Sequence, residues 1–222
     1  MIKACIFDLD GVLVDTAKYH YLAWKKLAED KLGVSFNHED NENLKGVSRM
    51  QSLEYILEKG GIQMDIQEKL ELAKLKNDWY VELIKNIDHS EILPGSEELL
   101  QDLRLHNIKI ALGSASKNAR AILDGIGLMS YFDAISDGNS TDKSKPDPEV
   151  FLIAARDLDL QPVECIVFED SIKGIEAAVR GGFHSVGIGE PQVLDQSDYV
   201  VKDLSQINWQ ILTEWFNTTK NG

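Results

Sequence analysis

A chain of 222 residues, 43% of them apolar and 27% charged, is long enough for one full domain and a smaller second one, and its composition excludes disordered, collagen-like and coiled-coil proteins. With 23 Lys and Arg against 37 Asp and Glu, the net charge is −14, which repels phosphate backbones and anionic lipid, so we expect no nucleic acid and no membrane as partner. An anionic substrate would require its own local cluster of positive charge.

The first predicted element is a strand, because residues 2–8 form a nearly apolar run that ends in acid. The chain continues into Asp8-Leu9-Asp10-Gly11, and alternation along an extended backbone places Asp8 and Asp10 on one side. Two carboxylates this close repel each other, so a cation or a shared proton is expected between them. Taken alone, the pair is also typical of an ordinary acidic turn.

Residues from about 16 to 88 show helical periodicity and no convincing strand, which predicts a helical insertion, most simply a four-helix cap. In the helices predicted at 17–31 and 67–87, His20 and Lys76 fall at the centres of the apolar stripes. A lysine in such a position must either reach solvent or meet an anion. A single inward histidine is more often a hydrogen-bonded core residue, but the two intrusions together favour a shared inner site.

The segment Lys45-Gly46-Val47-Ser48-Arg49 lies between these two helices. Ser48 and Gln51 have the spacing of a capping box, which predicts that a helix begins at Arg49, and Gly46 allows close backbone approach. An arginine in the first turn opposes the helix dipole, and a bound phosphate would remove that conflict. Because the conflict costs only a few tenths of a kcal/mol, an exposed arginine without a ligand is the alternative.

Further short apolar runs predict a repeated alternation of strands with helices. The strands are expected at 108–112, 165–168 and 185–188, and the helices at roughly 117–125, 171–180 and 208–216. Nearly apolar strands that alternate with helices indicate an α/β fold, a doubly wound parallel sheet of Rossmann-like type, with ligands at the carboxyl ends of the strands. We therefore assign residues 1–15 and 89–222 to a core domain, and residues 16–88 to a helical-bundle cap domain.

Polar residues follow the second predicted strand and the loop after it. Ser114 lies where the strand stops, and Ser116 is placed to cap the next helix, where a hydroxyl, Lys117 and free amides would together bind an anion. Simple capping is the alternative for Ser116. Lys145 lies on a loop that Pro146 and Pro148 stiffen, which keeps a helix from starting before Pro148. A lone lysine is normally a solvated surface charge.

The last predicted strand end adds a second acidic pair, Glu169 and Asp170. With Asp8 and Asp10, four carboxylates would then lie at the carboxyl edge of one sheet. Such a cluster needs a hard cation, and ligation by oxygen alone suits Mg²⁺, which usually keeps several waters and a substrate phosphate in its shell.

This order of features resembles the haloacid dehalogenase superfamily, whose four sequence motifs are an Asp-x-Asp, a strand-end Ser, a loop Lys and an acidic pair. The resemblance covers the whole chain, including the inserted cap. It implies that Asp8 is a nucleophile that becomes an aspartyl phosphate, and that Asp10 is the general acid and base. It also implies that Ser114 and Lys145 hold the transferring phosphoryl group. The metal ligands that it implies are Asp8, Asp10 through its backbone carbonyl, and Asp170, with Glu169 bound directly or through water. Dehalogenases of the superfamily lack the second Asp, so Asp10 favours phosphoryl chemistry.

Within the superfamily, the chain is similar to the beta-phosphoglucomutase family in residues 44–49 and 114–118, and at Asp15-Thr16, His20, Trp24 and Lys76-Asn77. The resemblance implies interconversion of beta-D-glucose 1-phosphate and D-glucose 6-phosphate through beta-glucose 1,6-bisphosphate, which is both intermediate and activator. Arg49 and residues 116–118 would hold the second phosphate, and Thr16, His20 and Lys76 would couple cap closure to substrate binding. The substrate-binding residues that it implies are Thr16, His20, Trp24, Lys45, Gly46, Val47, Ser48, Arg49, Ser52, Lys76, Ala115, Ser116, Lys117 and Asn118.

Three other functions are compatible with parts of this pattern. A sugar-phosphate phosphatase of the same superfamily would use the four motifs identically with water as acceptor, and Arg49 is the residue that discriminates against it. A phosphonoacetaldehyde hydrolase would need a cap lysine that forms a Schiff base, for which Lys45 or Lys76 could serve. A binding protein without catalysis would have lost at least one of the four motifs, and none is lost.

Cellular context is indicated by absences in the sequence. No apolar run approaches the roughly 20 residues of a membrane helix, and residues 1–10 lack the features of a signal peptide. Cys5 and Cys165 lie in strand-like runs and predict buried thiols instead of a disulfide framework. We expect a cytoplasmic monomer whose partner is a small-molecule sugar phosphate.

Overall fold

The structure is a computed structural model that describes residues 1–219, and these residues form one six-stranded sheet. The strands are β1 (Ala4–Phe7), β2 (Lys109–Gly113), β3 (Ala134–Ser136), β4 (Cys165–Glu169), β5 (His184–Ile188) and β6 (Tyr199–Val201). Their order across the sheet is β3-β2-β1-β4-β5-β6, and every neighbouring pair is parallel. The carboxyl ends of all six strands therefore lie at one edge.

Five helices lie between β1 and β2, four of them in the insertion, and the other helices lie between or after the later strands. The helices are α1 (Ala17–Leu32), α2 (His38–Glu42), α3 (Arg49–Gly60), α4 (Ile66–Ile84), α5 (Ser96–Leu105), α6 (Ala119–Gly125), α7 (Glu149–Asp157), α8 (Ile172–Arg180) and α9 (Trp209–Thr219). The expected α/β fold with an inserted helical bundle is confirmed. No helix within residues 1–219 is both long enough and apolar enough to span a bilayer.

The central strand β1 sets the position of the catalytic motif. All four of its residues are buried, and successive side chains pack into two separate apolar clusters on opposite faces of the sheet. Phe7 lies opposite Leu112 of β2 and Phe168 of β4, and its ring stacks on that of Phe168 with the centroids 4.5 Å apart. This register brings the residues that follow β1 and β4 level with each other at the carboxyl edge.

The sequence predicts several boundaries well but does not predict two short strands and two of the helices. The helix expected from residue 171 begins at Ile172 with Ser171 as its N-cap, whereas the helix expected from residue 117 begins two residues later at Ala119. Strands β3 and β6 were not predicted, because three residues at the sides of a sheet are too few to show a period. Helices α5 and α7 were also missed. Neither directly follows one of the predicted strands.

Helices α1, α3 and α4 pack on an apolar cluster of their own, separate from the two clusters on the sheet. It contains Trp24, Leu27, Phe36, Leu53 and Ile56, among other residues. Parts of α1 and α4 also contact the cluster beneath the sheet. We propose on this basis that residues 16–88 form a cap domain with a core of its own that is anchored to the sheet domain.

We predict that Leu53→Ala destabilises the cap by about 2–5 kcal/mol, because it empties a fully buried position in this cluster. Hydrogen exchange should then speed up across α1, α3 and α4, while amides of β1 and β4 keep their protection. The matched control is Leu22→Ala on α1, where the side chain is 49% exposed. Equal loss of protection in the sheet and in the helices would argue against a cap core of its own.

Candidate active site

A cavity of about 510 Å³ lies between the helical insertion and the carboxyl edge of the sheet. Most side chains that the sequence nominated line it, from both sides. These are Asp8, Asp10, His20, Trp24, Lys45, Gly46, Val47, Ser48, Arg49, Ser52, Lys76, Ala115, Ser116, Lys117, Asn118, Lys145 and Asp170. The nominated residues Thr16, Ser114 and Glu169 are buried behind its wall.

The floor of the cavity is built around Lys145, which is buried between two carboxylates. Its Nζ donates to Oδ1 of Asp8 at 2.6 Å and to Oε1 of Glu169 at 2.7 Å. The pKa of Lys145 would be lowered by burial alone, but the two carboxylates together raise it, so the lysine stays charged. Burial raises the pKa of Asp8 well above its usual range, and Lys145 partly offsets this. Helix α7 begins after Pro148, as the prolines predict, and this leaves Lys145 on the loop.

Glu169, which is expected to hold Mg²⁺ directly or through water, has both carboxylate oxygens bonded to protein donors. Its Oε1 accepts from Lys145, and its Oε2 accepts from the backbone N–H of Ser171 at 2.7 Å and from the Ser171 hydroxyl at 3.0 Å. Both oxygens are therefore committed to protein donors. Among residues 1–219, no group of three or more His, Cys, Asp or Glu side chains is placed to hold a metal ion. The four acids still lie close enough to interact, since in addition to burial the charges of Glu169 and Asp10 raise the pKa of Asp8, and the charge of Glu169 raises that of Asp170.

Two acids still face the cavity from neighbouring strand ends, Asp8 and Asp170. Burial, and next the charge of Glu169, raise the pKa of Asp170 to about 7, and Lys45 offsets this only in part. The Nζ of Lys45 lies 3.4 Å from Oδ2 of Asp170. Two carboxylates whose ionised forms are disfavoured by burial and repulsion fit a hard divalent cation that binds through oxygen and keeps several waters.

The second acid of the first motif, Asp10, begins a chain of polar groups that leads into the cap. The hydroxyl of Thr16 donates to Oδ1 of Asp10, and Nε2 of His20 lies 3.8 Å from the same oxygen. The other ring nitrogen of His20 is 2.9 Å from Nζ of Lys76. The two residues that interrupted the apolar stripes of the cap thus meet beside the catalytic motif.

Burial determines the protonation of this chain. It lowers the pKa of His20 well below its usual range, with the nearby charges of Lys76 and Arg49 acting in the same direction. It also lowers the pKa of Lys76 and raises that of Asp10. The lowered pKa favours a neutral His20. If Lys76 donates to Nδ1, the ring proton lies on Nε2, facing Asp10.

A separate group of donors lies where α3 and α4 approach the loop before α6. Nη2 of Arg49 donates to Oδ1 of Asn77 at 2.6 Å, and Nδ2 of Asn118 donates to the same oxygen at 3.0 Å. The capping box of Ser48 and Gln51 is present, so α3 begins at Arg49 as predicted. This end of the cavity gathers cationic and amide donors, and within residues 1–219 no carboxylate forms an ion pair with Arg49.

The loop of residues 114–118 is shaped differently from the sequence prediction. Asn118, and not Ser116, is the N-cap of α6, and it makes no side-chain capping bond. Instead, Oγ of Ser114 accepts from the N–H of Ser116 at 3.1 Å, and Oγ of Ser116 accepts from the N–H of Asn118 at 3.3 Å. Each serine closes a tight local turn, and that delays the helix by two residues.

The cap loop approaches the sheet domain closely at Gly46. Its φ is +71°, and a Cβ at this position would lie 2.7 Å from Oγ of Ser171. A larger residue would be strained and would push the loop away from the floor of the cavity. The close approach that the sequence suggested for this glycine is therefore observed.

Sequence reasoning missed Tyr80 as a residue of the site. Its ring lies 4.1 Å from that of His20, and Nζ of Lys76 lies 4.7 Å from its centroid. Its hydroxyl is buried without a hydrogen-bond partner in the part of the chain that is described. The only available signal was its position four residues after Lys76, and a tyrosine in an apolar stripe is more readily interpreted as packing.

Comparisons with known proteins agree with this geometry. A family model described as haloacid dehalogenase-like hydrolase matches residues 2–182. The beta-phosphoglucomutase of Bacillus subtilis (strain 168) is 44% identical over 96% of this chain and 95% of that protein. A phosphorylated carbohydrates phosphatase of Thermotoga maritima is 32% identical over 83% of this chain and 84% of that protein. The crystal structure of beta-phosphoglucomutase (pgmB) from Clostridium difficile has a TM-score of 0.96, with 44% identity and complete coverage of both chains.

The raised pKa of Asp170 predicts that the stability of the metal-free protein depends on pH. Between about pH 4 and pH 7 the folded state keeps a proton that the unfolded state has lost, so the free energy of unfolding falls as pH rises through this window and is level above it. In EDTA, Asp170→Asn should therefore lose less stability than the parent between pH 5 and pH 8, by on the order of 1–3 kcal/mol. Urea unfolding at the two pH values measures this.

Asp157→Asn, at an exposed position of α7, is the control and should follow the parent curve. Adding Mg²⁺ at pH 8 should raise the melting temperature of the parent and leave that of Asp170→Asn nearly unchanged. If the free energy of unfolding changed equally with pH in the parent and in Asp170→Asn, the pH dependence could not be assigned to Asp170.

Proposed function

Since this chain belongs to the haloacid dehalogenase-like hydrolase family, we propose that it is a phosphomutase that interconverts beta-D-glucose 1-phosphate and D-glucose 6-phosphate. The observation that carries the proposal is that one cavity contains two separate sets of phosphate-binding groups. Lys145 lies beside Asp8 at the edge of the sheet, and Arg49 lies beside Asn118 where the cap meets the sheet domain. A phosphatase needs only the first set, whereas a mutase must hold two phosphates at once.

Asp8 is the nucleophile. Lys145 donates to the Oδ1 of Asp8, which leaves Oδ2 available. In-line attack of Oδ2 on phosphorus forms an aspartyl phosphate. The same ammonium lies where the negative charge of the phosphoryl oxygens has to be neutralised, so it serves both partners of the transfer. Glu169 keeps Lys145 charged and in place by occupying its other side.

Asp10 is the general acid and base. Burial raises its pKa, which favours the protonated form that gives a proton to the sugar oxygen as the phosphoryl group is transferred. In the second half of the reaction it accepts the proton of the attacking sugar hydroxyl. Thr16, at the start of α1, donates to Asp10, and this ties the catalytic acid to the first residue of the cap.

The enzyme is a metal-dependent phosphotransferase, and Mg²⁺ fits the oxygen donors present. Asp8 and Asp170 would hold it with the backbone carbonyl of Asp10, and Glu169 acts on Lys145 instead. A divalent cation here would neutralise charge on the phosphoryl group and lower the pKa of both raised carboxylates. Ser114 shapes the loop that precedes Asn118, and its hydroxyl supports the phosphoryl site from behind the cavity wall.

The second set of groups holds the phosphate that is not being transferred. Arg49, Asn118, Ser116 and the amide of Lys117 bind one end of beta-glucose 1,6-bisphosphate while the other end lies at Asp8. The bisphosphate is both intermediate and activator, because it regenerates the aspartyl phosphate. Gly46 lets the cap loop close on Ser171, which excludes the water that would otherwise hydrolyse the aspartyl phosphate.

The second candidate is a sugar-phosphate phosphatase with the same nucleophile, favoured by the similarity to a curated phosphatase of phosphorylated carbohydrates. It would share Asp8, Asp10 and Lys145 and differ only in the acceptor. The partner in either case is a small sugar phosphate. We further propose a cytoplasmic monomer with neither nucleic acid nor membrane as partner, in keeping with its net charge of −14.

Asp8→Asn should reduce isomerisation of beta-D-glucose 1-phosphate by about a thousandfold or more, because it keeps the shape and removes the attacking charge. Its circular dichroism spectrum should match that of the parent. Asp10→Asn is the matched variant: it should also stop isomerisation but still accept phosphate from acetyl phosphate, whose leaving group needs no proton. If Asp8→Asn stayed active and Asp10→Asn did not, the two roles would be reversed or wrong.

Arg49→Ala separates the mutase from the phosphatase. It should slow isomerisation by tens-fold or more, since contacts to a charged group contribute about 1.5–3 kcal/mol each. Phosphorylation of Asp8 by acetyl phosphate, which carries a single phosphate, should change far less. Arg49→Lys keeps the charge without the bidentate geometry, so its isomerisation rate should lie between those of the parent and Arg49→Ala.

Two results would count against this assignment. Equal losses of isomerisation and of acetyl phosphate turnover in Arg49→Ala would make Arg49 a structural residue. A parent protein that releases phosphate quickly from several sugar phosphates and isomerises none would be a phosphatase.

A further inference from the structure

Asn77 joins the two halves of the second phosphate site through a single atom. Its Oδ1 accepts one hydrogen bond from Arg49, on the cap helix α3, and another from Asn118, on the sheet domain. The distances are 2.6 Å and 3.0 Å. Asn77 itself lies on α4, so three elements that are far apart in the sequence meet at one amide oxygen.

This oxygen orients both donor side chains and leaves N–H groups of each available to a ligand. A guanidinium has five N–H donors and a side-chain amide has two, and one bond to Asn77 leaves the others of each group available. Both side chains line the cavity, and so does Asn77. The direction of their remaining N–H groups is therefore constrained by the bond that each makes to Asn77.

The acceptor is also neutral, which matters for Arg49. In the described part of the chain, no carboxylate lies within ion-pair distance of its guanidinium. The adjacent Asp78 is exposed and pairs with Lys74 at 2.7 Å. A carboxylate in place of the amide would bond to Arg49 more strongly and would cancel the charge that a phosphate requires.

We propose that Asn77 is a positioning residue for the second phosphate, which fixes Arg49 and Asn118 relative to each other while leaving their positive potential to the ligand. The inference rests on the proposed function and deepens it, because it assigns a residue to binding of the phosphate that is not transferred. In this role, Asn77 orients the phosphate-binding groups without neutralising their positive charge.

Asn77→Asp tests this, since it preserves shape and acceptor and adds one negative charge. Calorimetry with D-glucose 6-phosphate and the Mg²⁺-loaded protein should show affinity weaker by about tenfold or more, because charge-assisted bonds to phosphate are lost to the new ion pair. The melting temperature should be equal or higher. The KM for isomerisation should rise in parallel, and phosphorylation of Asp8 by acetyl phosphate should not change.

Two further variants complete the set. Asn77→Ala removes the bridge without adding charge and should weaken binding of D-glucose 6-phosphate less than Asn77→Asp does. Gln67→Glu makes the same amide-to-acid change at an exposed position of the same helix and should leave the affinity unchanged. The expected order of affinity is parent and Gln67→Glu first, then Asn77→Ala, then Asn77→Asp.

The outcomes separate the inference from the proposed function. Parental affinity in Asn77→Asp, or a parallel fall in acetyl phosphate turnover, would overturn the role of Asn77. A parent that binds D-glucose 6-phosphate without isomerising it would overturn the mutase alone, and the order of variant affinities would still decide the inference. A parent with no affinity for D-glucose 6-phosphate would contradict both.

Discussion

The ion pairs that Lys145 makes with Asp8 and Glu169 are the contacts on which the rest of the site depends. Asp8 and Glu169 are buried at the ends of neighbouring strands and Lys145 is buried on the loop before α7, where an unpaired charge would cost several kcal/mol. Ser171 holds the far oxygen of Glu169, so each member of the group is oriented by another. A single lysine on a proline-stiffened loop therefore lets two acids lie close together, and one of them, Asp8, lines the cavity.

The net charge of −14 does not prevent binding of a ligand with two phosphates, because the electrostatic potential in a cavity depends mainly on the charges nearby. Arg49 and Lys76 come from the cap, and Lys117 and Lys145 come from the sheet domain, and all four side chains line one cavity. The cap also reaches the catalytic acid directly, since Thr16 bonds to Asp10. Residues of the cap therefore contribute both to the positive potential of the cavity and to the restraint on Asp10.

Sequence alone determined the features that depend on local pattern. An apolar run that ends in Asp-x-Asp predicts a buried strand with the carboxylates directly after it, and β1 has this form. The capping box of Ser48 and Gln51 set the start of α3 because its bonds span only three residues. Period also determined that His20 and Lys76 face inward, since an α-helix repeats its direction every 3.6 residues. The parallel sheet followed from the alternation of elements.

Tertiary structure alone decided the features that depend on contacts between distant residues. Glu169 is bonded to Lys145, which lies 24 positions away in the sequence and 2.7 Å away in the fold. Asn77 meets Asn118 across 41 positions, and no local period signals that meeting. Strands β3 and β6, of three residues each, exist because a neighbouring strand supplies their hydrogen bonds. Propensity and period act over a few residues, whereas these roles are set by which elements the fold brings together, and that is why only the folded chain reveals them.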